Sequence, residues 1–207
     1  MRIAPLLVAA AFAAGCHHSP PPPPPVLEPP VVQLSELGAL GMIDLVATGA
    51  DGSLASQEFL ASLQAAQPGV AVLELGPRER VLAAVGGAGI DPETIRAIGE
   101  KYHVDAILVG EVRTQVIRPR VSVHELSSFS ASAEMEGALS ARIFETERGA
   151  TLWTTSAETR APLARVEMAP WGASAFDTNE PEQVRVSIVR ELIERATADF
   201  QPRWVYP

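Results

Sequence analysis

Cysteine is nearly absent: this 207-residue chain contains one, Cys16. A lone thiol cannot close an internal disulfide, and no Cys/His array with zinc-ligand spacing surrounds it. Histidine is scarce as well. The four are His17, His18, His103 and His124, and none has a local nucleophile or metal-ligand spacing, so neither a catalytic site nor a metal site is expected. Basic residues fall short of acidic ones, 16 against 25, which leaves a formal charge of −9 and a pI near 4.9. That balance argues against nucleic acid, whose phosphates would be repelled, and against electrostatic adhesion to anionic lipid. The glycine cluster Gly86-Gly87-Ala88-Gly89 follows a helix-like segment rather than a strand and lacks the Gly-Lys-Ser/Thr ending, so it is no phosphate loop. No cofactor is expected.

Long apolar runs are also missing, apart from Ile3 to Ala14, which is far too short to cross a bilayer as a helix. That run follows Arg2 and leads into Ala13-Ala14-Gly15-Cys16. A positive residue, a short apolar core and small residues at a cut site make a secretory signal over residues 1–15. With cysteine at the cut, the stretch resembles a bacterial lipoprotein signal, which implies that Cys16 carries a diacylglyceryl thioether and an acylated amine. Ala13 stands where such signals usually have Leu. His17 rather than Asp after the cysteine implies sorting to the outer membrane, with the domain facing the periplasm. The alternative is an ordinary secretory signal cleaved nearby, with Cys16 incidental. Acyl chains of this kind anchor firmly, because two hydrophobic signals already suffice.

Residues 16–30 read as a tether. Pro20 to Pro25 is an unbroken proline run, followed by Val-Leu-Glu and two more prolines. Proline fixes φ and lacks the amide proton, so the segment is expected to be an extended polyproline II spacer. A dozen such residues reach roughly 40 Å.

Residues 31–207 are expected to form one α/β domain. Its organising element is Val104 to Val112, a short apolar run that reads as a strand buried on both faces. Before it, Met42 to Thr48 and Val70 to Leu75 have strand character. Helices are expected over Leu54–Gln67, with Phe59, Leu60, Leu63 and Ala66 inward and Gln57, Glu58, Gln64 and Gln67 in water, and from Pro77 to Val85. Asp91-Pro92 starts another, the Asp as cap and the Pro at the first helical position. This alternation of strand and helix predicts parallel neighbours covered by helices.

The next third changes period. From Ala131 to Phe144 odd positions are apolar and even ones mostly polar, which predicts half-exposed antiparallel strands, with Ala150 to Ala157 and Trp153 returning as partner. Ala161 to Phe176 reads as a mobile Ala- and Pro-rich loop carrying Trp171. Asn179 with Glu182 three residues on suggests a capping box opening a helix to about Phe200. The fold class is therefore α/β, a mixed sheet with parallel core strands, an antiparallel hairpin and flanking helices.

Three passages carry a family resemblance: the strand Val104–Val112, the hairpin Ala141 to Trp153 (Ala-Arg-Ile-Phe-Glu-Thr-Glu-Arg-Gly-Ala-Thr-Leu-Trp), and the closing helix Val184 to Phe200. Together they resemble periplasm-facing lipoproteins that share the fold of CsgG, LpoB and the N-terminal domain of TolB. The resemblance implies that fold over roughly Met42 to Phe200. Its channel-forming member implies two membrane-crossing hairpins per subunit, with about 9 to 11 residues per strand. Here only Val121 to Phe144 is legible as one, and a second hairpin is not.

The expected function is that of a non-enzymatic, lipid-anchored interaction or assembly module in the cell envelope. Its partner would be an envelope protein or a second copy, and the alternative is a subunit of an oligomeric CsgG-like pore. Trp171, Phe176, Trp204 and Tyr206 are the contact candidates, since aromatics in polar loops and tails commonly anchor interfaces. His103, Asp105 and Glu111 around the central strand are the residues a hydrolase or small-ligand site would use.

Overall fold

The apolar run after Asp105 becomes the third strand of a mixed sheet. The computed structural model of the chain describes residues 23–124, 128–168 and 174–206. Cys16, the signal segment, the start of the tether and Trp171 lie outside these residues.

In chain order the elements are β1 (Val26–Glu28), β2 (Leu40–Ile43), β3 (Val46–Thr48), α1 (Gly52–Ala66), β4 (Val72–Gly76), α2 (Arg78–Val85) and α3 (Pro92–Tyr102). Then come β5 (Ala106–His124), β6 (Ser128–Glu145), β7 (Thr151–Met168), β8 (Ser174–Thr178), α4 (Pro181–Ala196) and β9 (Arg203–Val205), with 3-10 turns at Leu34–Leu37 and Ala198–Phe200. Seven strands form one sheet in the order β4-β2-β5-β6-β7-β8, with β3 also pairing β5. β2, β3 and β4 run parallel to their partners, whereas β5 to β8 form an antiparallel meander.

Local sequence explains the helix starts. Asp51 accepts hydrogen bonds from the Ser53 and Leu54 backbone N–H groups, and Asp91 from those of Glu93 and Thr94, with Pro92 opening α3. Each cap satisfies donors that a helix leaves unpaired at its first turn. His103 ends α3 in the left-handed region at φ 55°, and Gly86 ends α2 at φ 71°.

Helices cover both faces of the sheet, but unequally. On one face α1 and α4 bury Phe59, Leu63, Ile188 and Leu192 against Leu108, Val112, Met135, Leu139 and Ile143. Each such side chain contributes about 1.5–3 kcal/mol by leaving water. On the other, α2 and α3 pack Val81, Ile95 and Ile98 against Ile43, Ile107 and Phe144. This second layer is short. Ala106, Ile107 and Leu108 are buried, whereas Val109, Gly110 and Glu111 are only half-buried, so the central strand is covered on both faces at its start alone.

Close approaches set the helix positions. A Cβ on Gly137 would lie 2.3 Å from Ile188 Cγ2 and 2.9 Å from Leu192 Cδ1, so α4 rests directly on the backbone of β6. Trp153 is 8% exposed. Its Nε1 donates to Asp199 Oδ2 at 3.0 Å, and its ring lies 4.7 Å from that of Phe200.

Four expectations are corrected. Ala161 to Met168 is not loop but the second half of β7, paired to β6 through Phe129↔Met168, and Phe176 lies in β8. A shift in pairing between Ala133 and Glu134 accommodates Pro162 opposite Glu134, which is how a proline enters a sheet. A further antiparallel pair, β7–β8, therefore lies beside the first, though the five residues of β8 fall short of a membrane-crossing strand. Asn179 does not cap α4: its Nδ2 donates to Pro162 O and its backbone N–H to Leu163 O, and Glu180 occupies the cap position. Gln67 is not in water but bonded on three sides. Its Oε1 accepts from Leu34 N at 2.7 Å, and its Nε2 donates to Val32 O at 2.6 Å and Phe200 O at 3.0 Å. Finally, Val26–Glu28, inside the segment read as tether, pairs antiparallel with Arg203–Val205 of the tail.

Candidate interaction surfaces

Of the three residues considered for chemistry, His103 and Asp105 line one cleft of about 480 Å³, and the fold keeps Glu111 apart from them. His103 serves as the left-handed end of α3. The Asp105 carboxylate accepts the Ala39 backbone N–H at 2.8 Å and so fixes the entry to β5. Glu111 lies six residues further along an extended chain, about 20 Å away. Its carboxyl accepts from Arg113 Nε at 2.7 Å, and this hydrogen bond, opposed by partial desolvation, holds it below the ordinary carboxylate value. Among the described residues no group of three or more His, Cys, Asp or Glu side chains could hold a metal ion. A cleft of about 290 Å³ opens beside Glu111, where the α2–α3 layer stops, lined by Arg78, Val109, Ser140, Arg142 and Phe144.

The larger feature is the sheet itself. β5, β6 and β7 run 19, 18 and 18 residues, far longer than the core they cross. On β6 the buried core ends at Met135, close to where α4 meets Gly137. Beyond that level the four strands continue as a blade.

Register assigns its faces in rows. Val121, Ala131, Val166 and Phe176 are paired partners across all four strands, and so are Val123, Phe129, Met168 and Ser174. Between them lie Arg120, Ser132, Arg165 and Asp177, and then Ser122, Ser130, Glu167 and Ala175. Partners directly opposite share a face, and neighbours along a strand alternate. By register, rows of Val, Ala, Phe and Met that end in Ser174 alternate with rows of Ser, Arg, Glu and Asp that end in Ala175. β6 has no inserted residue between Phe129 and Ile143, so the apolar rows keep the register parity of Met135 and Leu139, which α4 covers.

The blade also has two edges. β8 ends the sheet on one side, and among the described residues β5 has no partner on its other side beyond Arg113, where β3 stops. Unpaired strand edges are templates for further pairing. The blade's components were partly visible in sequence as the odd-position alternation of Ala131 to Ile143. Its second half was hidden by Ala161, Pro162 and Pro170, which read as loop.

Of the contact candidates, Phe176 lies in β8, paired with Val166. Trp204 and Tyr206 lie elsewhere, in and just after β9, 63% and 76% exposed. The structure thus separates them into two surfaces, the blade and the β1–β9 ribbon. No helix among the described residues is long and apolar enough to cross a membrane.

No protein-family model matches the chain, and no curated protein does. Solved structures do resemble it. A neuraminyllactose-binding hemagglutinin homolog from Helicobacter pylori is 14% identical with a TM-score of 0.45, over 81% of this chain and 83% of that one. The lipoprotein GNA1162 from Neisseria meningitidis is 16% identical with a TM-score of 0.38, over 76% and 96%. The LpoB C-terminal domain from Salmonella enterica is 9% identical with a TM-score of 0.37, over 59% and 83%. At these values the likeness does not extend to function.

Proposed function

We propose that the chain is an outer-membrane lipoprotein, held by acylated Cys16 with its domain in the periplasm, and that it acts without chemistry of its own as an assembly module. The observation that carries this reading is the blade, strands that extend past the core in alternating apolar and polar rows and, among the described residues, end in two unpaired edges. Unpaired edges of this kind are templates for an added strand.

A second copy suits the surface best. Each strand from β5 to β8 runs antiparallel to the next, so β8 is antiparallel to β5. The β8 edge of one copy can therefore continue an antiparallel ladder with the β5 edge of another. Such a head-to-tail contact uses two different patches and closes into a ring if the rotation allows. An envelope protein offering a strand would use the same edges.

The test is the native mass of the detergent-extracted protein beside a Val121→Asn/Val166→Asn variant with an unchanged thermal midpoint. Wild type should exceed the monomer, and the variant should fall toward it. A wild-type protein that is monomeric and carries no partner would remove the proposal.

A second reading is favoured by the hairpin β7–β8: two adjacent hairpins per copy could join others in a membrane-crossing barrel. The length of β8 counts against it. β8 has five residues, where a spanning strand takes about 9 to 11. Conductance across planar bilayers would establish this reading, and its absence at defined oligomer concentration would exclude it.

A further inference from the structure

We propose that the β1–β9 ribbon is a second membrane contact, its aromatic face resting in the lipid–water interface beside the anchor; the inference deepens the lipoprotein reading and rests on it. The ribbon has three residue pairs, Val26↔Val205, Leu27↔Trp204 and Glu28↔Arg203. A two-stranded ribbon is marginally stable in water unless something covers a face. Here Leu27 is 49% exposed, Val26 56%, Trp204 63% and Tyr206 76%, so the protein itself covers little of it.

Position and chemistry point to lipid as the cover. Leu27 and Trp204 are opposite one another and share a face. The antiparallel pairing carries the chain end past Val205 alongside the last tether prolines, so Tyr206 lies on the tether side of the ribbon. Val26 follows Cys16 by ten residues, most of them proline. At about 3.1 Å per residue the ribbon stays within roughly 30 Å of the acylated end. Trp and Tyr favour the headgroup level, where the ring is sheltered and the polar tip stays wet. Charge does not oppose the contact. Arg203 Nε donates to Glu28 Oε2 at 3.0 Å, so the ribbon's only two charges are paired, in a chain whose net charge is −9. Attachment by the ribbon adds orientation rather than affinity, turning a chain on a spacer into a domain with one side toward the bilayer.

The sole cysteine makes the test independent of native acylation. The chain from Cys16 onward, with Trp171→Phe, is coupled through Cys16 to maleimide-headgroup phosphatidylethanolamine in phosphatidylcholine vesicles. Its emission is then measured with brominated acyl chains and, separately, with aqueous acrylamide. Trp153 is buried and insensitive to both, so the response reports Trp204. The proposal expects a blue shift, quenching by brominated lipid and protection from acrylamide, all lost in Trp204→Phe. Full acrylamide access with no bromine quenching would overturn it. So would protection without bromine quenching that grows with surface density, which means a second copy covers the ribbon. Mass spectrometry of the native N-terminus addresses acylation separately: an unmodified Cys16 would end the lipoprotein reading whatever the vesicles show.

Discussion

Replacing Gln67 by Met should loosen the whole junction between the chain's two ends. Met keeps the length of the side chain and removes its polar groups. Three bonds are lost: to the Leu34 N–H at 2.7 Å, the Val32 carbonyl at 2.6 Å and the Phe200 carbonyl at 3.0 Å. A net hydrogen bond contributes about 0.5–1.5 kcal/mol, and more is lost where its partner stays unpaired in the interior. These three sites are part-buried, so water reaches some of the freed groups, and the expected loss is about 2–4 kcal/mol. Urea unfolding reads it as a lower midpoint at unchanged slope. Gln67→Glu is the sharper variant. It keeps an acceptor for Leu34 but sets a carboxylate oxygen against two carbonyls, and it should cost at least as much. Hydrogen exchange should also quicken at Val32, whose N–H donates to Asp199 O beside the same junction. A Gln67→Met protein within about 0.5 kcal/mol of wild type would refute the clasp.

Gly137→Ala should cost about 1–3 kcal/mol by overpacking, because its Cβ would meet Ile188 and Leu192 at 2.3 and 2.9 Å; a denaturation midpoint equal to wild type would mean α4 moves freely. His103→Val should destabilise by about 1–2 kcal/mol while His103→Gly does not, since only the left-handed backbone at φ 55° separates them. Stability should also fall with acid. The caps hold Asp51 and Asp91 below the ordinary aspartate value of 3.8, chiefly through the Leu54 and Thr94 N–H groups. A folded-state pKa below the unfolded one gives stability that is complete above the unfolded value and lost as pH falls through the folded one. The loss should therefore begin near pH 3.8 and be shallower in Asp91→Ala, as thermal midpoints across that range would show. Cys16→Ala should release the protein from membranes into the soluble periplasm, and fractionation that still finds it with membranes would contradict the anchor.

The body of the fold was legible because its local signals agree with its packing. Asp91-Pro92 caps α3 as its residue types require, and Val184, Ile188, Leu192, Ile193 and Ala196 form the buried stripe of α4 as their spacing requires. The blade was half legible. Alternation on β6 announced a two-faced sheet, whereas Ala161 to Met168 offered proline and alanine, and only pairing with β6 makes a strand of them. Non-local partners misled in the same way at Asn179, whose bonds to Pro162 and Leu163 displace the local cap, and at Gln67, whose partners are 33, 35 and 133 residues away. The ribbon was invisible for the same reason: nothing in Val-Leu-Glu announces a pairing with Arg-Trp-Val at the far end of the chain.

The assembly reading meets its most direct test at the blade's edges. Cysteine pairs placed along β5 from Ser122 and along β8 from Asp177, one residue on each edge, are oxidised in the otherwise cysteine-free Cys16→Ala chain at concentrations where wild type is assembled. The account predicts disulfide-linked ladders of two or more copies for at least one pairing, and none when either cysteine is omitted. A chain that stays monomeric under oxidation for every pairing, while wild type is assembled, would contradict the edge-to-edge contact.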